Sequence, residues 1–391
     1  MRSPGSRRPA PRRRSPTPSR SPTAAPTCAP SPSGPIRSSR STCSQRGERE
    51  RMSEHRESES GYLEPSAARE PDTFLDGKVA VVTGSGRGIG RAHAMRLAAY
   101  GAKVVVNDLG VATDGSATDE TPADGVVAEI RAAGGEAVAD DHDISTAAGG
   151  EAVIQRALDE WGRIDVVVNN AGFGRPRMVF NLAEDEWDDV IRVHLKGTFC
   201  VTAPATRWWR SEHKAGRAPY GRVVNTSTGL LLMAGAGQSN YTAAKAGCLA
   251  FTEAIATELA PIGATANVIL PGARTRLAAV GWRTARNAAL AQAQFDNQSP
   301  VHIAELVCYL ASPYAQFISG QAFTVSGGLI QHVATFQARE AIRREDRGWT
   351  VGDLKGEVPR MFGAGPHRAD PPPKEWSEQY KAKGGSATAP A

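Results

Sequence analysis

Tyr241 and Lys245 stand four apart in Tyr-Thr-Ala-Ala-Lys. At that spacing a helix brings phenol and ammonium onto one face. A phenol with an ordinary pKa of about 10 is a poor base near neutrality, but a fixed positive charge beside it favours the phenolate and lowers that value. Tyr241 is therefore expected to exchange a proton with a substrate hydroxyl as hydride leaves or joins the carbon, with Lys245 keeping it acidic enough to do so. A hydroxyl pair, Ser227 and Thr228, ends an apolar run upstream. Successive side chains of a strand point to opposite faces, so only one of the two can aim at a substrate without a local bend.

A second group of residues suits a dinucleotide. Gly84, Ser85, Gly86, Arg87, Gly88, Ile89 and Gly90 fall between a strand-like and a helix-like stretch. There a diphosphate would meet backbone N–H groups and the positive end of a helix dipole. The spacing is Gly-x-x-x-Gly-x-Gly and departs from the G-x-G-x-x-G fingerprint, since Ile89 holds its last position. Asp108, 18 residues after Gly90 and followed by Leu109, can accept hydrogen bonds from both adenosine ribose hydroxyls and would repel the extra phosphate of NADP. NAD is the expected cofactor. Asp143 and Ile144 could meet the adenine amino group and ring, although an N-cap role for Asp143 or Ser145 is equally natural. Asn170, Ala171 and Gly172 are small enough for close backbone approach to a cofactor, and Asn169 is expected to tie neighbouring strands together.

These residues need a scaffold, and the sequence predicts one. Apolar runs at 78–83, 104–106, 137–139, 164–168, 222–226 and 266–270 alternate with helical stretches at 88–100, 184–209 and 241–260. Short β-rich runs without polar alternation suit strands covered on both faces, so the expected fold is α/β, a doubly wound parallel sheet of the Rossmann type. Residues 110–124 are too long for an ordinary turn and read either as a functional loop near the cofactor or as a mobile surface loop. After 333 the rhythm fades into a charged tail with Pro371-Pro372-Pro373. The expected organisation is a leader at 1–74, a Rossmann domain at 75–332 and an extension at 333–391.

Together these motifs resemble the short-chain dehydrogenase/reductase family over about residues 75–330. The match includes Asn225-Thr226-Ser227-Thr228-Gly229, Pro271-Gly272-Ala273-Arg274-Thr275, and Ser319-Gly320-Gln321 with Ser326-Gly327-Gly328. The resemblance implies a Ser–Tyr–Lys active site, often joined by an asparagine, and a homotetramer or homodimer acting on a small-molecule substrate. It also implies that Pro271, Gly272, Ala273 and Thr275 contact the cofactor. Two positions depart from the family. The serine usually lies 13 residues before the tyrosine, where this chain has Thr228, which becomes the favoured orienting hydroxyl. His194 stands where many relatives carry an asparagine that holds a water linked to the lysine; it could do the same or merely pack between helices. The segment around His194, and Asn107-Asp108-Leu109-Gly110 with its polar loop, resemble the hydroxyacyl-thioester dehydrogenases of the family. The stretch 271–299, with Leu277, Val280 and Trp282 and with Arg276, Arg283 and Arg286 at its edges, should close over an apolar secondary alcohol or ketone of steroid, terpenoid or 3-hydroxyacyl thioester type. A cofactor-binding scaffold of weak catalysis is the alternative.

Composition narrows the field further. The formal charge is +5, but residues 1–51 carry twelve arginines against Glu48 and Glu50, so the remainder is net acidic at −5. A nucleic-acid-binding body is therefore not expected. The Arg/Ser/Pro-rich leader cannot bury a core and is expected to be disordered; it reads as a misassigned start before Met52, an organellar transit segment or a basic tail. Five cysteines show no CxxC pairing and no clustering with histidine, so no metal is expected. No run approaches the ~18 apolar residues of a membrane span. A cytoplasmic protein is expected.

Overall fold

Valine-rich runs build one eight-stranded sheet. Its members are Val79–Thr83 (β1), Lys103–Asn107 (β2), Ala137–Asp140 (β3), Val166–Asn169 (β4), Arg222–Thr226 (β5), Thr265–Pro271 (β6), Ala322–Ser326 (β7) and Leu329–Val333 (β8). The order is β3-β2-β1-β4-β5-β6-β7-β8, parallel throughout except that β8 runs antiparallel to β7. The computed structural model describes residues 73–116, 121–232, 236–274, 296–338, 341–345 and 347–362. All lie in the second of two compact units, 57–391.

Alternation along the strands feeds two cores. Val82, Val104 and Val106 face Met95 and Leu97 of α1 (Gly88–Ala99), Val126 and Ile130 of α2 (Pro122–Ala132), and Ile303 and Leu310 of α7 (Val301–Ala311). Val79, Val81, Val105 and Val167 face Val153 and Ile154 of α3 (Ala147–Trp161), Val201 and Trp209 of α5 (Gly197–Lys214), and Ile255 of α6 (Ser239–Leu259). Each such side chain contributes about 2 kcal/mol by leaving water, so helices on both faces hold the sheet between them. A last short helix, α8, covers Val351–Glu357.

Two differences from the sequence reading matter. β7 and β8, joined through Gly327 at φ 55°, were not among the expected strands, because a five-residue edge hairpin gives little pattern. The single helix expected at 184–209 is α4 (Glu184–Ile191), a π-helical turn at Arg192–Lys196, and α5. Such a turn holds one extra residue per turn and marks functional sites in many helices. His194 lies at its centre.

Candidate active site

The candidate residues gather at the C-terminal ends of β1, β2, β4 and β5, where a cleft opens in sheets of this topology. A cavity of about 770 Å3 there is lined by Gly84, Gly86, Arg87, Gly88, Ile89 and Gly90, by Asp108 and Leu109, by Asp143 and Ile144, and by Asn170, Ala171, Gly172 and Phe173. Close backbone approach explains the glycines. A Cβ on Gly84, which holds φ +62°, would stand 2.6 Å from Ala171 Cα. The glycine loop is tied to β4 by Asn170, whose Nδ2 donates to Thr83 O and Gly84 O at 3.0 and 3.1 Å. Asp108 lies just past β2, with Oδ2 accepting from Gly86 N at 2.9 Å and Oδ1 from Gly110 N at 2.9 Å. Its carboxylate is thus held at the cavity edge beside the loop. A helix N-terminus, a glycine floor and an anchored carboxylate fit a dinucleotide.

Some expected contacts take other roles. Ser85 is fully buried, and its hydroxyl donates to Val82 O at 2.7 Å, so it braces the turn and does not face the cavity. Asp143 is not the N-cap of α3; Thr146 is, accepting from Gly149 N. Asp143 Oδ1 accepts from Ser145 N at 2.9 Å and Ser145 Oγ at 2.6 Å, and its Oδ2 lies 3.5 Å from Arg192 Nη1. Ile144 is buried in the second core, against Gly197, with only its margin on the cavity. Asn169 has the structural role expected of it: its Nδ2 donates to Asn225 Oδ1 at 2.8 Å and Thr202 Oγ1 at 2.9 Å. Pro271 ends β6, Gly272 N donates to Val325 O at 2.8 Å, and Ala273 is buried in the first core. Thr275, together with Leu277, Val280, Trp282, Arg276, Arg283 and Arg286, lies outside the described residues.

Beside this cavity stand Tyr241, Lys245, Thr228 and Ser227. Tyr241 and Lys245 share a face of α6, with Lys245 Nζ 5.9 Å from the Tyr241 ring centre. The Thr228 side chain lies close enough to the Tyr241 phenol to favour its ionised form. Ser227 points the other way: its Oγ is buried and donates to Lys245 O at 2.8 Å. The pair thus splits as strand alternation requires, with Thr228 toward the phenol and Ser227 bracing α6. Lys245 is buried and donates to Thr226 O at 2.7 Å. Burial holds its pKa below the ordinary value.

Electrostatics departs from expectation at Tyr241. Burial pushes the phenol up to about 12, and Thr228 beside it is what pulls against that rise. Desolvation of the phenolate therefore dominates in the protein alone, and the Lys245 charge is not among the causes that move it. His194 is buried, and its Nε2 lies 2.7 Å from Phe173 O and 3.2 Å from Phe173 N. The two contacts ask opposite roles of Nε2, donor to Phe173 O and acceptor from Phe173 N, while Nδ1 is buried and without a partner among the described residues. Burial first, then the Lys245 charge, lowers His194 to about 3, so it is neutral near pH 7. Its ring meets the Tyr241 ring edge-on at 5.1 Å. Gly172 makes room for it, since a Cβ there would stand 2.0 Å from His194 Cε1.

Three contributors escaped the sequence reading. Phe173 packs with Ala244 and Tyr241 while its backbone meets His194. Arg192 enters the cavity from the π-helical turn. Asn240 is fully buried, receives Tyr241 N on Oδ1 at 2.8 Å and donates to Arg175 O and Glu186 O. The asparagine immediately before the tyrosine was the one signal available in the sequence.

Comparison with known proteins agrees with this geometry. Residues 78–280 match the family model described as short chain dehydrogenase. The chain is 41% identical over 292 residues to the hydroxyacyl-CoA dehydrogenase ChsB1 of Mycobacterium tuberculosis, covering 74% of this chain and 90% of that protein. It is 38% identical over 264 residues to a 3-oxoacyl-(acyl-carrier-protein) reductase of Synechocystis, covering 66% and 99%. A peroxisomal multifunctional enzyme type 2 of Drosophila melanogaster is 41% identical over 235 residues, but only 36% of that longer protein is spanned. A crystal structure of a short chain dehydrogenase from Mycobacterium avium matches with TM-score 0.65 and 41% identity, over 77% of this chain and 98% of that one.

Proposed function

This chain belongs to the short chain dehydrogenase family and is an oxidoreductase acting on CH–OH groups; we propose that it transfers hydride between NAD(H) and the 3-hydroxy or 3-oxo carbon of an acyl thioester. The observation that carries the reading is the convergence of Thr228, Tyr241 and Lys245 beside a glycine-floored cleft whose rim is the anchored carboxylate of Asp108. The substrate class rests on two relatives named for hydroxyacyl and oxoacyl thioesters.

A nicotinamide dinucleotide bound in the cleft would supply the hydride acceptor or donor and a positive ring in its oxidised form. Gly84, Gly86 and Gly88–Gly90 would hold its diphosphate, Asp108 its adenosine ribose, and Lys245 the ribose nearer the reacting carbon. The chain's own residues manage the proton. Thr228, beside the Tyr241 hydroxyl, would orient it, and Tyr241 Oη takes the proton of the substrate hydroxyl or returns it to the ketone oxygen. Lys245 is a buried cation one helical turn away, and its field would oppose the desolvation of the phenolate. With its proton on Nε2, His194 would present Nδ1 as an acceptor able to hold a water between Lys245 and the cleft, so that the proton leaves without charging the imidazole.

NADH formation from NAD and a series of 3-hydroxyacyl-CoA thioesters, compared with steroid and terpenoid alcohols, tests the reading. Turnover should be fastest with the thioesters and faster with NAD than with NADP. Equal use of NADP by the unaltered protein, or the same cofactor preference in Asp108→Ala, would refute the ribose argument.

A further inference from the structure

Between β2 and α2 the chain makes a folded excursion at residues 110–116. Ala112 N donates to Ser116 O at 2.9 Å and Gly115 N to Ala112 O at 3.0 Å. Asp114 Oδ1 accepts from Ser116 N and Oγ at 3.0 and 2.8 Å, closing an Asx turn. The excursion does not stand away from the protein. Gly174 N donates to Thr113 O at 3.1 Å, which joins it to the chain leaving β4. Gly115, at φ +86°, lies so near the Phe173 ring that a Cβ there would stand 3.0 Å from it. The Arg175 charge helps hold the Asp114 carboxyl below its usual range, after the Ser116 hydrogen bonds.

Val111, Ala112, Thr113 and Gly115 line the same cavity as the glycine loop. The segment begins beside Asp108, at the expected ribose end, and reaches Phe173, which packs on Tyr241 and hydrogen-bonds His194. It therefore runs along the cavity wall from the Asp108 end toward the Phe173 end. We propose that residues 111–115 form a strap that retains the bound dinucleotide, and that the Thr113–Gly174 and Gly115–Phe173 contacts part before it leaves; this rests on the nucleotide reading of the cleft. Glycine-floored sites hold a diphosphate through backbone alone, and a strap along the cavity wall adds retention without a charged side chain. Its latch is one backbone hydrogen bond and one ring contact, so losing it accelerates release on the order of tenfold.

The test is stopped-flow displacement of NADH from the full chain. Gly115→Val strains a left-handed backbone position and drives a branched side chain at the Phe173 ring. Asp114→Lys replaces attraction to Arg175 by repulsion at an exposed position, which keeps the test alive if the first variant folds poorly. Both should raise the NADH dissociation rate about tenfold while the melting temperature stays near that of the unaltered protein. Dissociation rates unchanged in two folded variants would overturn the strap and leave the nucleotide reading standing. Failure of the unaltered protein to bind NADH at millimolar concentration would remove both.

Discussion

At the N-terminal ends of β4 and β5, Asp165 and Arg222 are buried and their capacity is almost fully used. Asp165 accepts from Val79 N at 2.8 Å and from Arg163 Nε and Nη2 at 2.8 and 2.7 Å. Arg222 donates to Tyr220 O, to Gly221 O and to Gln316 Oε1, and lies 4.1 Å from the centre of the Tyr220 ring, which Lys78 Nζ also approaches, at 4.4 Å. At the C-terminal ends, among the described residues, Lys245 has one hydrogen bond and His194 Nδ1 has none. Both ends bury polar groups, yet only one keeps capacity in reserve beside a cleft. Burial of a charge is thus a poor mark of function; burial with unused valence next to a cavity is a better one.

The sharpest way to break that contrast is at Tyr241. Tyr241→Phe should lower kcat about a thousandfold with thermal stability and NADH binding nearly unchanged; retained turnover would sink the acid/base assignment. The opposite end should respond in the opposite currency. Asp165→Ala strips Val79 N–H and Arg163 of their acceptor, so unfolding in urea should show a loss of about 3 kcal/mol with kcat unaltered. A change in kcat without loss of stability would erase the distinction.

His93 supplies a control with open valence and no cleft. It is fully buried on α1, both ring nitrogens lack partners, and burial lowers it to about 3. Because the folded value lies below the unfolded one, the unfolded chain binds the extra proton between about pH 6.5 and 3. Stability contributed by the neutral ring is therefore present above pH 6.5 and lost as pH falls through that window, at about 1.4 kcal/mol per pH unit. His93→Leu should flatten the acid limb of a denaturation series; an identical limb would mean that the ring is not buried neutral. Smallest is the effect at Thr228. Thr228→Val removes the hydroxyl that opposes the rise of Tyr241, so kcat for oxidation should drop about tenfold and its pH profile move upward, while Thr228→Ser restores both. An unshifted profile would assign Thr228 to packing alone.

The nucleotide half was legible because its elements are local. A glycine turn between β1 and α1 and a carboxylate after β2 are consecutive in sequence, and the strand-to-helix context is itself a short-range pattern. The reacting half was legible only in part. Tyr241 and Lys245 share one helix, so spacing sufficed, and alternation narrowed Ser227 and Thr228 to one. The tail hairpin β7–β8, the π-helical turn under His194 and the inward hydroxyl of Ser85 left no periodic trace. The excursion at 110–116 was visible as an insertion, but whether it was a loose surface loop or part of the cleft depended on Phe173 and Gly174, some sixty residues away.

The sequence by itself determined the doubly wound scaffold, the glycine turn and the Tyr–Lys pair, because each follows from hydrophobic periodicity or from residues within one element. Tertiary structure decided what burial does to them. It raised Tyr241 where spacing had suggested a lowered phenol, gave Thr228 the task of opposing that rise, tied His194 to Phe173, and laid residues 111–115 along the cavity wall. Desolvation and long-range contact depend on what surrounds a group from every side, and that surrounding is assembled only when distant segments pack.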